Sequence, residues 1–158
     1  MTFLGTAKLA IEPDQRADET EALARFTGSL VRRAQQRHVA VWLSEVSADI
    51  TSVQYAALEI LQDKPGINQR QLGDDLDVDR STIADLVARM VRNGLVRRND
   101  DPIDKRSYVL FLTASGKKQL ATLRPRVEEV ERILTARLSV VESRELRRLL
   151  LALLPAQV

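Results

Sequence analysis

Cysteine is absent from this chain of 158 residues, and histidine occurs once, at His38. Disulfides and thiol redox chemistry are thereby excluded, and a zinc site built from several Cys and His ligands is not expected. A Ser-His-Asp triad would have to use His38, and no G-x-S-x-G turn offers it a nucleophile. The chain is therefore not read as an enzyme, and nothing in it calls for a metal or cofactor. No apolar run approaches the roughly 18 residues that cross a bilayer. Met1 to Asp14 lacks the apolar stretch and small-residue cleavage site of a secretory signal. The expected location is the cytoplasm, away from any membrane. Aromatic residues make up only 4 %, and the six glycines and five prolines sit mostly where elements end. That profile suits a mainly helical chain built on Leu, Val and Ala.

What is present is ordinary in bulk: 44 % hydrophobic and 29 % charged residues, as in a globular protein. The net charge of +2 is uninformative, but its distribution is not. Arg89, Arg92, Arg97 and Arg98 fall within ten residues that hold no Asp or Glu. Such a cluster attracts a phosphate backbone, or else forms a solvated helix face.

Residues 1–17 show no periodicity and read as a loose arm. A long helix is expected from Asp18, which stands in capping-box spacing with Glu21, to about Val46. Thr51 with Gln54, Asn68 with Gln71 and Ser139 with Glu142 repeat that spacing, placing helices at about 52–63, 69–76 and 140–154. Lys64-Pro65-Gly66 stops the first of these three. Asp79 caps a helix from Arg80 to about Asn93, closed by Gly94. Its apolar face is Ile83, Leu86, Val87, Met90 and Val91, and Ser81, Thr82, Asp85, Arg89 and Arg92 lie opposite. After Gly94 the period becomes two. Leu95 to Arg97 and Tyr108 to Leu112 read as strands around a polar tip, Asn99 to Arg106. Thr113 caps a last long helix with the stripe Leu120, Leu123, Val127, Val130, Leu134 and Leu138, in which Pro125 would bend the helix or leave a gap in its ladder.

Helix, short helix, turn, helix and two-stranded hairpin make the fold class mainly α with a small β-hairpin wing, a winged helix-turn-helix with a helical dimerisation region. In that arrangement the N-terminal residues of the recognition helix meet base edges in the major groove of double-stranded DNA. Arg80, Ser81 and Thr82 hold that place here, and Lys105 and Arg106 at the wing tip would reach a neighbouring minor groove or its phosphates. Gln69 and Arg70, opening the short helix, are placed to hold phosphates; Arg70 is equally read as a solvated residue. Asp85 either accepts from a cytosine amine or pairs with Arg89 four residues on. Arg89, Arg92 and Arg97 are phosphate contacts or surface charges.

Asp79-Arg80-Ser81-Thr82-Ile83, the run Leu86 to Arg98, and Asp104-Lys105-Arg106 followed by Leu112-Thr113 together resemble the MarR (multiple antibiotic resistance regulator) family of transcriptional regulators. The likeness spans about residues 20–154. It implies a homodimer on a pseudo-palindromic operator, with first and last helices interleaved between subunits. Residues 1–17 would then be an arm, 18–50 a dimerisation and ligand helix, 51–112 the DNA-binding region and 113–158 the C-terminal dimerisation helices. Arg106 would lie near DNA, and Asp104 would orient Arg98 or Arg106 through a salt bridge; the alternative is that Asp104 and Arg106 only stabilise the hairpin.

The resemblance also implies a small aromatic acid or acyl-CoA effector between the DNA module and the dimer helices. Arg32, Arg37, His38 and Trp42 on the first helix, with Tyr55 on the next, supply cations and aromatic faces for it. The same residues read equally as core and solvated face. The expected function is a repressor released by that effector. The alternatives are an activator or architectural DNA-binding protein without a switch, and a winged module that binds protein.

Overall fold

A computed structural model of the chain describes residues 25–102 and 107–154. It divides into two compact units, Met1–Val39 and Ala40–Val158. The described elements are α1 (Thr27–Glu45), α2 (Ser52–Asp63), α3 (Gln69–Leu76), α4 (Arg80–Arg92), β1 (Val96–Asp100), β2 (Tyr108–Leu112), α5 (Ala114–Thr135) and α6 (Val140–Leu153).

The expected helix from Asp18 to Val46 needs correction at its start. Arg25 and Phe26 are not helical, and α1 begins at Thr27. The Phe26 carbonyl accepts from Ser29 and Leu30 N–H at 3.0 and 3.3 Å, as at a helix entrance. Thr27, Gly28 and Ser29, the first helical residues, are weak helix formers, so nothing local carries α1 back through Phe26 and Arg25. Asp18 with Glu21 and the arm 1–17 lie outside the described residues.

The other helix starts follow the capping chemistry. Thr51, Asn68 and Ser139 each accept from the backbone N–H three residues on, and Gln54, Gln71 and Glu142 return the bond to the cap's own N–H. Gly66 takes φ +87° at the Lys64-Pro65-Gly66 stop, a conformation that costs a residue without Cβ nothing. The α3–α4 turn uses a left-handed residue too, here Asp77 at φ 53°. The final long helix ends at Thr135, before Leu138, and continues past Pro125, which is exposed and, having no N–H, leaves one gap in the helical ladder.

Val96↔Leu112 to Asp100↔Tyr108 sets the antiparallel register of the wing. β1 is therefore longer than the sequence pattern suggests. Asn99 and Asp100, read as tip, are strand residues, because Val109 and Tyr108 stand opposite them and supply backbone partners. β2 gains a neighbour on its other edge. Gly66 N–H donates to Leu110 O and Leu110 N–H to Ile67 O, both at 2.9 Å, and Asn68 bridges Val109. These bonds tie the start of α3 to the wing.

The core of the second unit is Ala57, Leu58 and Leu61 from α2, Leu72 from α3, Ile83, Leu86, Val87 and Met90 from α4, Leu95, Val96, Leu110 and Leu112 from the wing, and Leu120 and Leu123 from α5. The apolar stripe of α4 is thus spent inward. The outward face of that helix is left polar.

Candidate nucleic-acid interface

Asp79 organises the exposed end of α4. Its carboxylate accepts the backbone N–H of Ser81 at 2.8 Å and of Thr82 at 3.0 Å. It also accepts both side-chain hydroxyls, Ser81 Oγ on Oδ1 and Thr82 Oγ1 on Oδ2, each at 2.5 Å. These donors, the Ser81 hydroxyl foremost, hold the Asp79 carboxyl well below the usual carboxylate range, so it is ionised throughout the physiological pH range. Ser81 and Thr82 are exposed, as expected of reading residues, with their hydroxyl protons turned to the cap.

Beside this end lies a groove of about 770 Å³ between α3, the start of α4 and the wing. Gln69 and Arg70 line it from α3, Arg80 from α4, and Arg98, Ser107 and Tyr108 from the wing. Four residues singled out from sequence for contact with DNA, Gln69, Arg70, Arg80 and Arg98, therefore share one concavity. Asp74, 3.9 Å from Arg70, is the acidic member of the lining. Asn68 and Tyr108 also line the groove and were missed by sequence reasoning. Tyr108 is 55 % exposed. Its signal was strand alternation, since Tyr108 and Leu110 share a face with Arg98, the partner of Leu110 in the register.

The remaining arginines separate. Arg97 points to the opposite face of the wing, with its guanidinium 4.7 Å from the centre of the Phe111 ring and a hydrogen bond from Nη1 to Asn99 Oδ1 at 2.5 Å. Arg97 thus has a structural role apart from the groove. Arg89 and Arg92 are exposed in the last turn of α4, where cations also favour the helix dipole. Among the described residues, Asp85 and Arg89 form no ion pair. Asp104, Lys105 and Arg106 lie outside the described residues.

The aromatic residues considered for an effector are part of the packing. Trp42 is 5 % exposed, and its Nε1 donates to Ile50 O at 2.7 Å. Its ring meets Tyr55 edge-on, centroids 5.9 Å apart. The Tyr55 hydroxyl donates to Glu59, and Glu59 pairs with Arg124 of α5 at 2.8 Å. Burial and the Glu59 carboxylate push the Tyr55 hydroxyl up to about 12. Arg126 Nη1 reaches Val46 O at 3.0 Å, a second tie from α5 to the end of α1. On α1, Arg32 is exposed and donates to Gln36 at 3.1 Å, Arg37 is exposed and His38 half-buried.

Apolar side chains also stand on the surface. Val140, Val141, Leu149, Leu150, Leu151 and Leu153 of α6 are 46–74 % exposed. Phe26, Leu30, Val31 and Val39 in the first unit are exposed as well, and so is Leu43 in the second.

A capped recognition helix, a short helix before it and a basic hairpin after it define a winged helix-turn-helix DNA-binding module. The MarR family model matches residues 50–108. The transcriptional regulator HosA of Escherichia coli O111:H- is 41 % identical over 109 residues, 69 % of this chain and 80 % of HosA. The chain belongs to the MarR family. Among solved structures, PcaV of Streptomyces coelicolor, in complex with its natural ligand, is 38 % identical with a TM-score of 0.79, over 81 % of this chain and 91 % of PcaV. BpsR of Bordetella bronchiseptica, whose DNA binding is regulated by 6-hydroxynicotinic acid, is 25 % identical with a TM-score of 0.76, over 79 % and 90 % of the two chains. The protein is accordingly a transcriptional regulator of MarR type, in a family of regulators and not of enzymes. No helix among the described residues is long and apolar enough to cross a membrane.

Proposed function

We propose that this regulator is a cytoplasmic homodimeric repressor, which grips a pseudo-palindromic operator with α4 and the wing and lets go when it binds a small aromatic acid or its CoA thioester. The observation that carries the DNA half is the convergence of Gln69, Arg70, Arg80 and Arg98 on one groove beside the exposed start of α4. Cations at the groove hold phosphates, and Ser81 and Thr82 meet base edges. Lys105 and Arg106 extend the grip at the wing tip, Asp104 orients Arg98 or Arg106 through a salt bridge, and Arg89 supplies a further phosphate contact.

Dimerisation is supported by the leucine- and valine-rich surface of α6 and by the exposed apolar residues of α1. A soluble monomer rarely leaves so much apolar surface in water, and a second copy would bury it. The two recognition helices would then stand about one DNA turn, roughly 34–36 Å, apart.

The effector half rests on kinship: BpsR responds to 6-hydroxynicotinic acid, and PcaV binds a natural ligand. Arg32, Arg37, His38, Trp42 and Tyr55 are the residues proposed to receive the effector. One observation favours a regulator without a small-molecule switch, namely that the Trp42 indole and the Tyr55 hydroxyl already have partners inside the fold. The experiment is a titration of the complex between the protein and DNA flanking its own gene with aromatic carboxylic acids and their CoA thioesters. Release by one of these, blunted in Arg32→Ala/Arg37→Ala, supports the effector reading. Full retention of DNA across the series would leave the switchless reading in its place.

A further inference from the structure

The hydrogen bonds at Asp79 restrict which bases the start of α4 can read. A carboxylate has acceptors only, and a serine or threonine hydroxyl has a single proton. With Ser81 Oγ and Thr82 Oγ1 each 2.5 Å from an oxygen of Asp79, both protons point into the protein. What the two hydroxyls present outward is lone pairs. In the major groove those pair with the N4 amine of cytosine or the N6 amine of adenine. They do not pair with guanine O6 and N7, thymine O4 or a phosphate oxygen, all of which are acceptors. The negative charge of Asp79 works in the same direction, repelling phosphate and base acceptors from these hydroxyls.

We propose that Asp79 is a specificity-determining positioning residue, which fixes Ser81 and Thr82 as hydrogen-bond acceptors so that the start of α4 selects base pairs presenting an exocyclic amine. The inference rests on the reading that α4 faces the major groove, and it adds the chemical sense of the contact. It separates the labour within three consecutive residues. Arg80, a donor lining the groove, serves guanine or phosphate, and Ser81 and Thr82 serve cytosine or adenine.

Asp79→Asn provides the test, because asparagine is as good an N-cap as aspartate and the helix keeps its start. Its amide has one acceptor oxygen and a donor NH2. One hydroxyl must then accept from the amide and turn its own proton outward, toward guanine or thymine. The measurement is affinity for a panel of operator duplexes, each base pair under α4 replaced in turn, for wild type, Asp79→Asn, Ser81→Ala and Thr82→Ala. Circular dichroism of the same samples confirms that each variant is folded. Wild type is expected to favour cytosine or adenine by about tenfold at one or two positions, a preference that Ser81→Ala or Thr82→Ala removes. Asp79→Asn should reduce it to about threefold or less, or invert it toward guanine or thymine, without loss of fold. An unchanged base profile in Asp79→Asn, with altered profiles in Ser81→Ala or Thr82→Ala, would overturn the role of Asp79 and leave α4 as the reading helix. A preference for thymine in wild type that persists in Asp79→Asn overturns it as well, since the Thr82 methyl would then be the contact. If no variant alters the profile at any position, α4 is not the reading helix and both inferences fall.

Discussion

Gly116→Ala tests the junction that sets the wing against α5. Gly116 lies in the first turn of α5 and is buried. A methyl group there would stand 2.1 Å from the Leu95 carbonyl oxygen and 3.0 Å from its carbon. Carbon and oxygen tolerate about 3.3 Å, so the two backbones must separate by roughly 1 Å. No rotamer can absorb this, because the obstacle is main chain. Separation strains the bonds that join the segments: Thr113 N–H to Leu95 O at 3.0 Å, and Thr113 Oγ1 to Gly94 O at 2.6 Å. The cap bond from Gly116 N–H to Thr113 Oγ1 at 2.9 Å is strained with them. Each backbone or hydroxyl bond contributes about 1 kcal/mol and the cap about 1 kcal/mol. Alanine returns about 1 kcal/mol of helix propensity. The net loss is about 2 kcal/mol, which lowers Tm by about 4–8 °C in a chain of this size. Thermal unfolding by circular dichroism at matched protomer concentration reads it directly. A Tm within about 1 °C of wild type would show that the contact relaxes freely and that the junction is not rigid.

The Glu59 carboxyl is lowered chiefly by its hydrogen bond from Arg124. Its folded-state value lies below the unfolded one, so its stabilisation is present above the ordinary value of 4.5 and is lost as pH falls through the folded value. The urea midpoint of wild type should exceed that of Glu59→Gln at pH 7 and converge on it once the pH falls below the folded Glu59 value; a gap independent of pH would contradict this. Trp42→Phe removes the donor to Ile50 O and should cost about 1–3 kcal/mol in urea unfolding, a loss below about 0.5 kcal/mol counting against a buried, bonded indole. Leu151→Glu replaces a side chain that is 69 % exposed within one protomer, so folding of the protomer is spared. Sedimentation at micromolar concentration should move from dimer toward monomer, and an unchanged dimer would remove Leu151 from the proposed interface.

Helix starts were legible in the sequence because their chemistry is local. Thr51-Gln54, Asn68-Gln71, Ser139-Glu142 and Asp79 each declare a cap within four residues. The inward face of α4 was legible because Ile83, Leu86, Val87 and Met90 repeat at the helical period. Contacts between distant segments were not. Glu59 and Arg124 are 65 positions apart, and nothing near either residue names the other. The pairing of Gly66 to Asn68 with β2 involves too few residues to show a strand period. Arg97 and Arg98 look alike in sequence, and only the strand register sends one onto Phe111 and the other into the groove. The hydroxyls of Ser81 and Thr82 were correctly read as exposed, but the direction of their protons depends on Asp79 geometry that a residue pattern does not contain.

The groove beside α4 and the wing is proposed to hold the DNA backbone. Its most direct test is the salt dependence of operator affinity for wild type and for the double variant Arg70→Ala/Arg98→Ala. Each phosphate contact contributes about 0.9 to the slope of log K against log salt concentration. A dimer that loses two contacts per protomer should therefore show a slope shallower by about 3.6, with its fold and dimerisation intact. A slope equal to that of wild type, with DNA still bound, would mean that the phosphates are held elsewhere and that this groove is not the interface.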